Sequence, residues 1–244
     1  MGNVRQWSEF QRGLGKLKKT YGFNVFHGKD FKARRGEFTG WPPTKCLSLS
    51  YELTSLASNG VMQASVISLD NAEFKTQYRG GETPKKLRLD SAYGLCFRIC
   101  LIHQISEIFR RLSAHKKFDQ TRLNIVMERG HKNAPDAARI YDEEATNLQK
   151  YDCNLLSGLT FASKDCEPLM LADFLADTTG LRDDKGIISV PNQAFAGIRE
   201  KAALTHLSFE PGDLSKTKEA LIEALNARCA SAASLRQRRG GEDV

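Results

Sequence analysis

The sequence predicts a single α/β domain, and three observations carry that prediction. Segments with the alternating or unbroken apolar pattern of strands take turns along the chain with segments whose apolar residues recur every three or four positions. The 244 residues are 41% apolar and 27% charged, the balance of an ordinary globular protein with one sizeable core. No linker divides the chain and no internal repeat is visible. Such alternation argues for a sheet packed by helices, with active groups at strand ends and on the helix faces that abut them.

Taken in order, Val4 to Thr20 sets Trp7, Phe10, Leu14 and Leu17 at helical steps, and Gly22 stops that helix. Phe23 to His27 alternates like a short strand and runs into a polar turn, Gly28 to Phe31, beside the basic segment Lys32 to Arg35. Pro42 and Pro43 start a second helix with Leu47, Leu53, Leu56 and Ala57 on its apolar face, and Asn59-Gly60 is its stop signal. Val61 to Leu69 reads as a buried strand, and the polar, glycine-containing Asn71 to Pro84 as a surface excursion. Lys85 to Ser113 carries the strongest helical pattern, apolar enough for a central helix, with His103 as a satisfied core residue inside it.

Leu123 to Met127 is a second clear strand, ending in Glu128-Arg129-Gly130-His131. Pro135 to Lys150 returns to helix with the acidic run Asp142-Glu143-Glu144. Leu155 to Phe161 is a third strand, followed by a turn through Ser163 to Cys166 and a helix from Pro168 to about Asp177. Beyond Gly180 the next legible element is a terminal helix, Leu214 to Ala230. The domain is therefore set at residues 1–232, and residues 233–244 are expected to be a disordered tail.

A formal charge of +7 and a pI near 9.1 favour polyanionic partners, nucleic acid first, because neutralising phosphates releases counterions. Part of that excess sits in Arg236, Arg238 and Arg239 of the tail. The six cysteines lack any C-x-x-C pair, which reads as buried reduced thiols in a cytoplasmic compartment and against a structural zinc. No run of about eighteen apolar residues is present, so no membrane span is expected. Met1 to Gln6 lacks a signal core and a myristoylation acceptor, and neither export nor a lipid anchor is indicated.

Four segments bring a family into view. They are Phe26-His27-Gly28-Lys29-Asp30-Phe31 with Gly40-Trp41 after it, Val126-Met127-Glu128-Arg129-Gly130-His131-Lys132-Asn133, Phe161-Ala162-Ser163-Lys164, and Pro168-Leu169-Met170-Leu171-Ala172-Asp173-Phe174-Leu175-Ala176. In content, order and spacing, over roughly residues 7–180, they resemble the DUF3800 family. The resemblance implies a ribonuclease-H-like fold, a mixed sheet flanked by helices, with residues 181–232 as a helical extension. It also implies carboxylates on the sheet and an adjoining helix that hold Mg²⁺ or Mn²⁺ for hydrolysis of nucleic-acid phosphodiesters.

Members of that family open with a strand bearing an Asp-Glu-Ser-Gly-like motif and then a second strand. This sequence starts at the helix that follows them, so against the family it is N-terminally incomplete and lacks the first carboxylate. Met170 also stands where the family commonly has glutamine. A start upstream of Met1 would supply the strand; so would a strand-donating partner or another copy in a homo-oligomer, since an unpaired sheet edge favours strand addition.

By the same resemblance Glu128 and Asp173 are the metal ligands, expected to lie close enough to share one ion, with His27, Asp30, His131 and Lys164 as catalytic residues around them. The residues support this reading in their own right: Glu128 follows an apolar strand, and Asp173 interrupts an apolar helix, where a charge is costly without a partner. Asp177 shares a helix face with Asp173 and is either a second ligand or a solvated helix-end acid. Two functions follow: a Mg²⁺-dependent nuclease, inactive if the missing acid is required, or a non-catalytic nucleic-acid or protein-binding module on the same scaffold.

Overall fold

In a computed structural model of the chain, the structure describes residues 1–60, 63–85, 87–113, 121–179, 203–210 and 212–223. It is an α/β protein whose short parallel sheets are flanked by helices. Helix α1 (Val4–Tyr21) opens with a reciprocal capping box between Asn3 and Gln6 and ends where Gly22 adopts φ 74°, a left-handed conformation that glycine takes without steric cost. Its Phe10, Leu14 and Leu17 are buried against α3 (Pro43–Gly60), which contributes Leu49, Leu53 and Ala57. A Cβ on Gly15, in the middle of α1, would meet nothing within 4 Å. Gly15→Ala is therefore expected to stabilise the protein by about 0.5–1 kcal/mol by restricting the unfolded chain, read as a higher urea midpoint at unchanged m.

Between these helices the expected strand Phe23 to His27 does not form, and the turn expected at Gly28 to Phe31 is the start of helix α2 (Gly28–Ala33). The physical reason is a side chain. Both carboxylate oxygens of Glu37 take backbone N–H groups of this segment, Asn24 at 2.6 Å and Val25 at 3.0 Å, and so occupy donors that a neighbouring strand would need. Phe23 and Phe26 are still buried, but in an aromatic cluster with Phe31, Phe38, Trp41 and Phe174 rather than on a sheet.

Strand β1 (Gln63–Ser68) pairs in parallel with β4 (Ala203–Ser208), and β2 (Leu123–Glu128) pairs in parallel with β3 (Leu156–Ala162). Among the described residues the two pairs do not hydrogen-bond to each other, so the continuous mixed sheet of the sequence reading is present as two halves. Helix α5 (Ala92–Ser113) packs on β1 and on α6 (Ala134–Gln149), while α7 (Glu167–Thr179) touches α1, α2, β1 and β2. Three cores result among the described residues: one joins α1, α3, β1 and α7, a second gathers Phe74, Tyr78, Leu89, Leu95 and Leu214, and the third sets Leu101, Ile105 and Ile108 of α5 against Leu155 and the β2–β3 pair.

Two further sequence expectations need correction. Asn71 to Pro84 is not wholly a surface excursion: Asp70 caps a short helix α4 (Asn71–Glu73) that continues as a π-helical turn (Phe74–Tyr78), with Phe74 and Tyr78 buried and stacked. The central helix begins at Ala92 rather than Lys85, because the Ser91 hydroxyl accepts from the Gly94 N–H and caps it there. Helix α8 occupies 213–223 and anchors Leu214 against Tyr78, Leu89 and Leu95. The rest of the expected terminal helix, most of the 181–232 extension and the 233–244 tail lie outside the described residues.

The five described cysteines are unpaired and half-buried rather than fully buried, and Cys229 lies outside the described residues. Burial pushes the Cys96 thiol up to about 11, which leaves little thiolate at neutral pH. His103 is satisfied as expected, its Nδ1 lying 3.0 Å from the Ser65 hydroxyl. No described helix is long and apolar enough to cross a membrane.

Candidate functional site

The parallel pairing of β2 with β3 sets Glu128, the last residue of β2, beside Ala162, the last of β3. Lys164 follows two residues later, so a carboxylate and an ammonium meet at one sheet rim, with Lys164 Nζ 3.2 Å from Glu128 Oε1. The same Nζ lies 3.4 Å from His27 Nε2. Across the imidazole, His27 Nδ1 is 3.5 Å from Asp173 Oδ2, and the Gly28 N–H at the start of α2 donates to that oxygen at 2.8 Å. Four of the six residues singled out from sequence thus form one continuous relay, Glu128–Lys164–His27–Asp173, drawn from the β2 end, the β3–α7 turn, the segment before α2, and α7.

The relay sets the tautomer of His27. Lysine has no acceptor, so Nε2 must accept from Lys164, and the proton of a neutral ring then sits on Nδ1, facing Asp173. Nδ1 is shut off from solvent without an aligned hydrogen bond, so its contact with Asp173 is one of charge and proximity. The side chains of Lys164 and Glu128 are 56% and 45% exposed, and pairs this open are screened and contribute on the order of 0–1 kcal/mol to the fold. The relay is therefore a set of charges held at a surface, not a structural clamp.

Asp173 is no buried orphan: it accepts from the Gly28 backbone and faces the open rim, which answers the cost of a charge on an apolar helix. Asp177 belongs to the same neighbourhood. It is half-buried against Gly28, and burial first, then the Asp173 charge, raises its carboxyl above the usual range against the lowering pull of Lys32 and His27. The four-residue step from Asp173 was the signal for it in the sequence.

The other two residues take other partners. Asp30, in the first turn of α2, pairs with Arg35 at 3.4 Å. His131 stacks on Tyr93 with ring centroids 4.0 Å apart, and its Nδ1 accepts from the Asn133 N–H at 3.2 Å. Tyr93 nevertheless senses the site: burial, and then the charge of Glu128, raises its phenol. Tyr93 and the Gly28 N–H are the two participants that sequence reading missed. Tyr93 looked like one more apolar position on a helix, and a backbone donor leaves no mark in a sequence.

A divalent ion is the group that the family resemblance implies here. Among the described residues no three His, Cys, Asp or Glu side chains gather as a metal-holding set. Mg²⁺ is commonly bound through one or two carboxylates, with waters and substrate phosphates completing its shell, but Glu128 and Asp173, expected to share one ion, stand at opposite ends of the relay with Lys164 and His27 between them. Compared with known proteins, the chain matches no family model, no curated protein and no solved structure.

Proposed function

We propose that this rim is the phosphodiester-handling site of a ribonuclease-H-like, Mg²⁺- or Mn²⁺-dependent nuclease of the DUF3800 type. The observation that supports the reading is the alternation of two carboxylates with two basic side chains along one relay. Left alone, the Lys164 ammonium pairs with Glu128 while the neutral His27 ring lies between it and Asp173. A bound phosphate and a divalent ion would repartition them, Lys164 and His27 taking phosphate oxygens while Glu128 and Asp173 take the cation. The ion supplies charge stabilisation on the phosphate and a more acidic water. His27 Nε2, freed from Lys164, is placed to hold or release a proton, and Asp173 keeps the imidazole oriented from its Nδ1 side. The +7 charge of the chain favours approach of a polyanion.

The test is cleavage of single-stranded, double-stranded and hybrid substrates with Mg²⁺ or Mn²⁺, comparing wild type with Glu128→Gln and Asp173→Asn. Each substitution keeps shape and removes a ligand charge, and each is expected to lower metal-dependent cleavage by at least about 100-fold, which corresponds to about 2.7 kcal/mol. Turnover that persists in both variants would refute the assignment. Binding should also weaken steeply with salt, and Lys164→Ala should reduce the slope of log K against log salt by about 1.

One observation favours the second reading, a non-catalytic nucleic-acid-binding module: each carboxylate already has a protein partner, Glu128 the Lys164 ammonium and Asp173 the Gly28 N–H, so neither needs a metal to be held in place. Salt-sensitive binding that is indifferent to Mg²⁺ and to both carboxamide variants would select that reading.

A further inference from the structure

The rim also carries a pair of rings that the relay does not use. Glu128 closes β2, Arg129 and Gly130 turn the chain, and His131 follows three residues after the carboxylate, no farther than about 11 Å along the chain. Its imidazole lies on Tyr93, the second residue of α5, with ring centroids 4.0 Å apart and planes inclined by 23°. Tyr93 is half-buried and fixed on its helix, whereas His131 is exposed. One face of the imidazole is thus taken by the phenol ring, and among the described residues no second ring packs on the other.

The outer ring is held in orientation before anything binds. His131 Nδ1 accepts from the Asn133 N–H at 3.2 Å, and its carbonyl accepts from the Ala134 N–H at 2.9 Å, so ring and turn are tied to the start of α6. A ring fixed in this way loses little freedom when a ligand stacks on it. Cations stand on either side. Arg129 and Lys132 are exposed, and neither has a carboxylate partner among the described residues. Arg129 Nη2 donates to the Phe161 carbonyl at 3.2 Å, which sets that guanidinium on the β3 end that leads to Lys164. Single strands are held by this combination: phosphates go to the positive groups, and an unpaired base stacks on the ring. In a duplex the base faces are covered by their neighbours and cannot reach it.

We propose that the outer face of His131, backed by Tyr93, is a stacking platform for an unpaired base, with Arg129, Lys132 and Lys164 taking the flanking phosphates, and that the rim therefore takes single-stranded in preference to double-stranded nucleic acid. The inference rests on the reading of the rim as a phosphodiester site and adds which strand state enters it. It also gives His131 a role other than proton transfer, since the ring touches a base and not the scissile phosphate. A ring face does not read the 2′-hydroxyl, so DNA and RNA strands are equivalent to it.

The probe is a fluorescein-labelled single strand of about twelve thymine nucleotides, or uracil in RNA, titrated by anisotropy against the full chain in EDTA so that no turnover intervenes. Beside it stand the same length as a duplex and as a strand of abasic sites, which keeps the phosphates without the bases. Wild type is expected to prefer the strand to the duplex. His131→Ala should weaken binding of the base-bearing strand about tenfold, in DNA and in RNA, and leave the abasic strand within about twofold, while His131→Phe, which keeps a stacking face, holds most of the affinity. Lys164→Ala should weaken base-bearing and abasic strands alike. Duplex affinity equal to that of the strand, strand affinity unchanged in His131→Ala, an equal loss on the abasic strand, or the same loss in His131→Phe would each overturn the platform. The phosphate reading of the rim would stand without it if Lys164→Ala still weakened binding. Binding of none of the three probes would instead remove that reading, and the platform with it.

Discussion

Arg98→Leu is expected to lower the stability of the fold by about 3–5 kcal/mol, the range observed when one member of a buried ionic network is removed. Arg98 lies on α5 with only 13% of its side chain exposed, and its guanidinium binds three carboxylates: Asp90 at 2.7 Å, Glu144 at 2.6 Å and Glu143 at 2.6 Å. Arg139, on α6, pairs in turn with Asp90, Asp136 and Glu143. Four acidic groups thus share two guanidiniums where α5 meets α6. Removing Arg98 leaves Asp90, Asp136 and Glu143 on Arg139 alone and takes from Glu144 its Arg98 partner, with Asp90, 2% exposed, unable to reach water for compensation. Urea denaturation should show the lower midpoint. A shift under 1 kcal/mol would mean that the acidic cluster relaxes into solvent. The helix–helix seam would then be held by its apolar contacts alone.

Gly28→Ala is expected to damage the fold and the candidate site together. A Cβ at this position would stand 2.7 Å from Asp177 Cβ, 3.1 Å from Asp177 Cγ and 3.2 Å from the Asp173 carbonyl oxygen. None of these is the free end of a long side chain, so α2 must move away from α7. Overpacking of this kind costs about 1–3 kcal/mol. The displacement also withdraws the Gly28 N–H from Asp173 and carries His27 with it, breaking two of the contacts that hold the relay. Nucleic-acid binding and any metal-dependent cleavage should therefore fall further than in Lys164→Ala, which leaves the helix pair in place. A Gly28→Ala protein with wild-type thermal stability and binding would show that α2 and α7 do not need this close approach.

The relay clarifies why the candidate residues were only partly legible in the sequence. Glu128 and Asp173 stood out because a charge at the end of an apolar strand, or inside an apolar helix face, violates the local pattern. Lys164, His27 and Asp30 are ordinary polar residues in polar turns, and only the family resemblance marked them. Folding then distinguishes among them: Lys164 and His27 reach the carboxylates, Asp30 turns to Arg35, and His131 lies flat on Tyr93.

What the sequence by itself determined were the elements whose signals are local: α1 with its Gly22 stop, α3 between Pro43 and Gly60, the apolar strands β2 and β3, and α7 from Pro168 onwards. Side-chain periodicity and capping act over a few residues, so they are written in adjacent letters. Only the tertiary structure decided that Phe23 to His27 is not a strand, since the competitor for its N–H groups is Glu37, a dozen residues on. Tertiary structure likewise placed β1 and β2, among the described residues, in separate strand pairs rather than side by side. Strand pairing satisfies backbone groups that are the same in every residue, so no run of side chains specifies which edge finds a partner and which is left open.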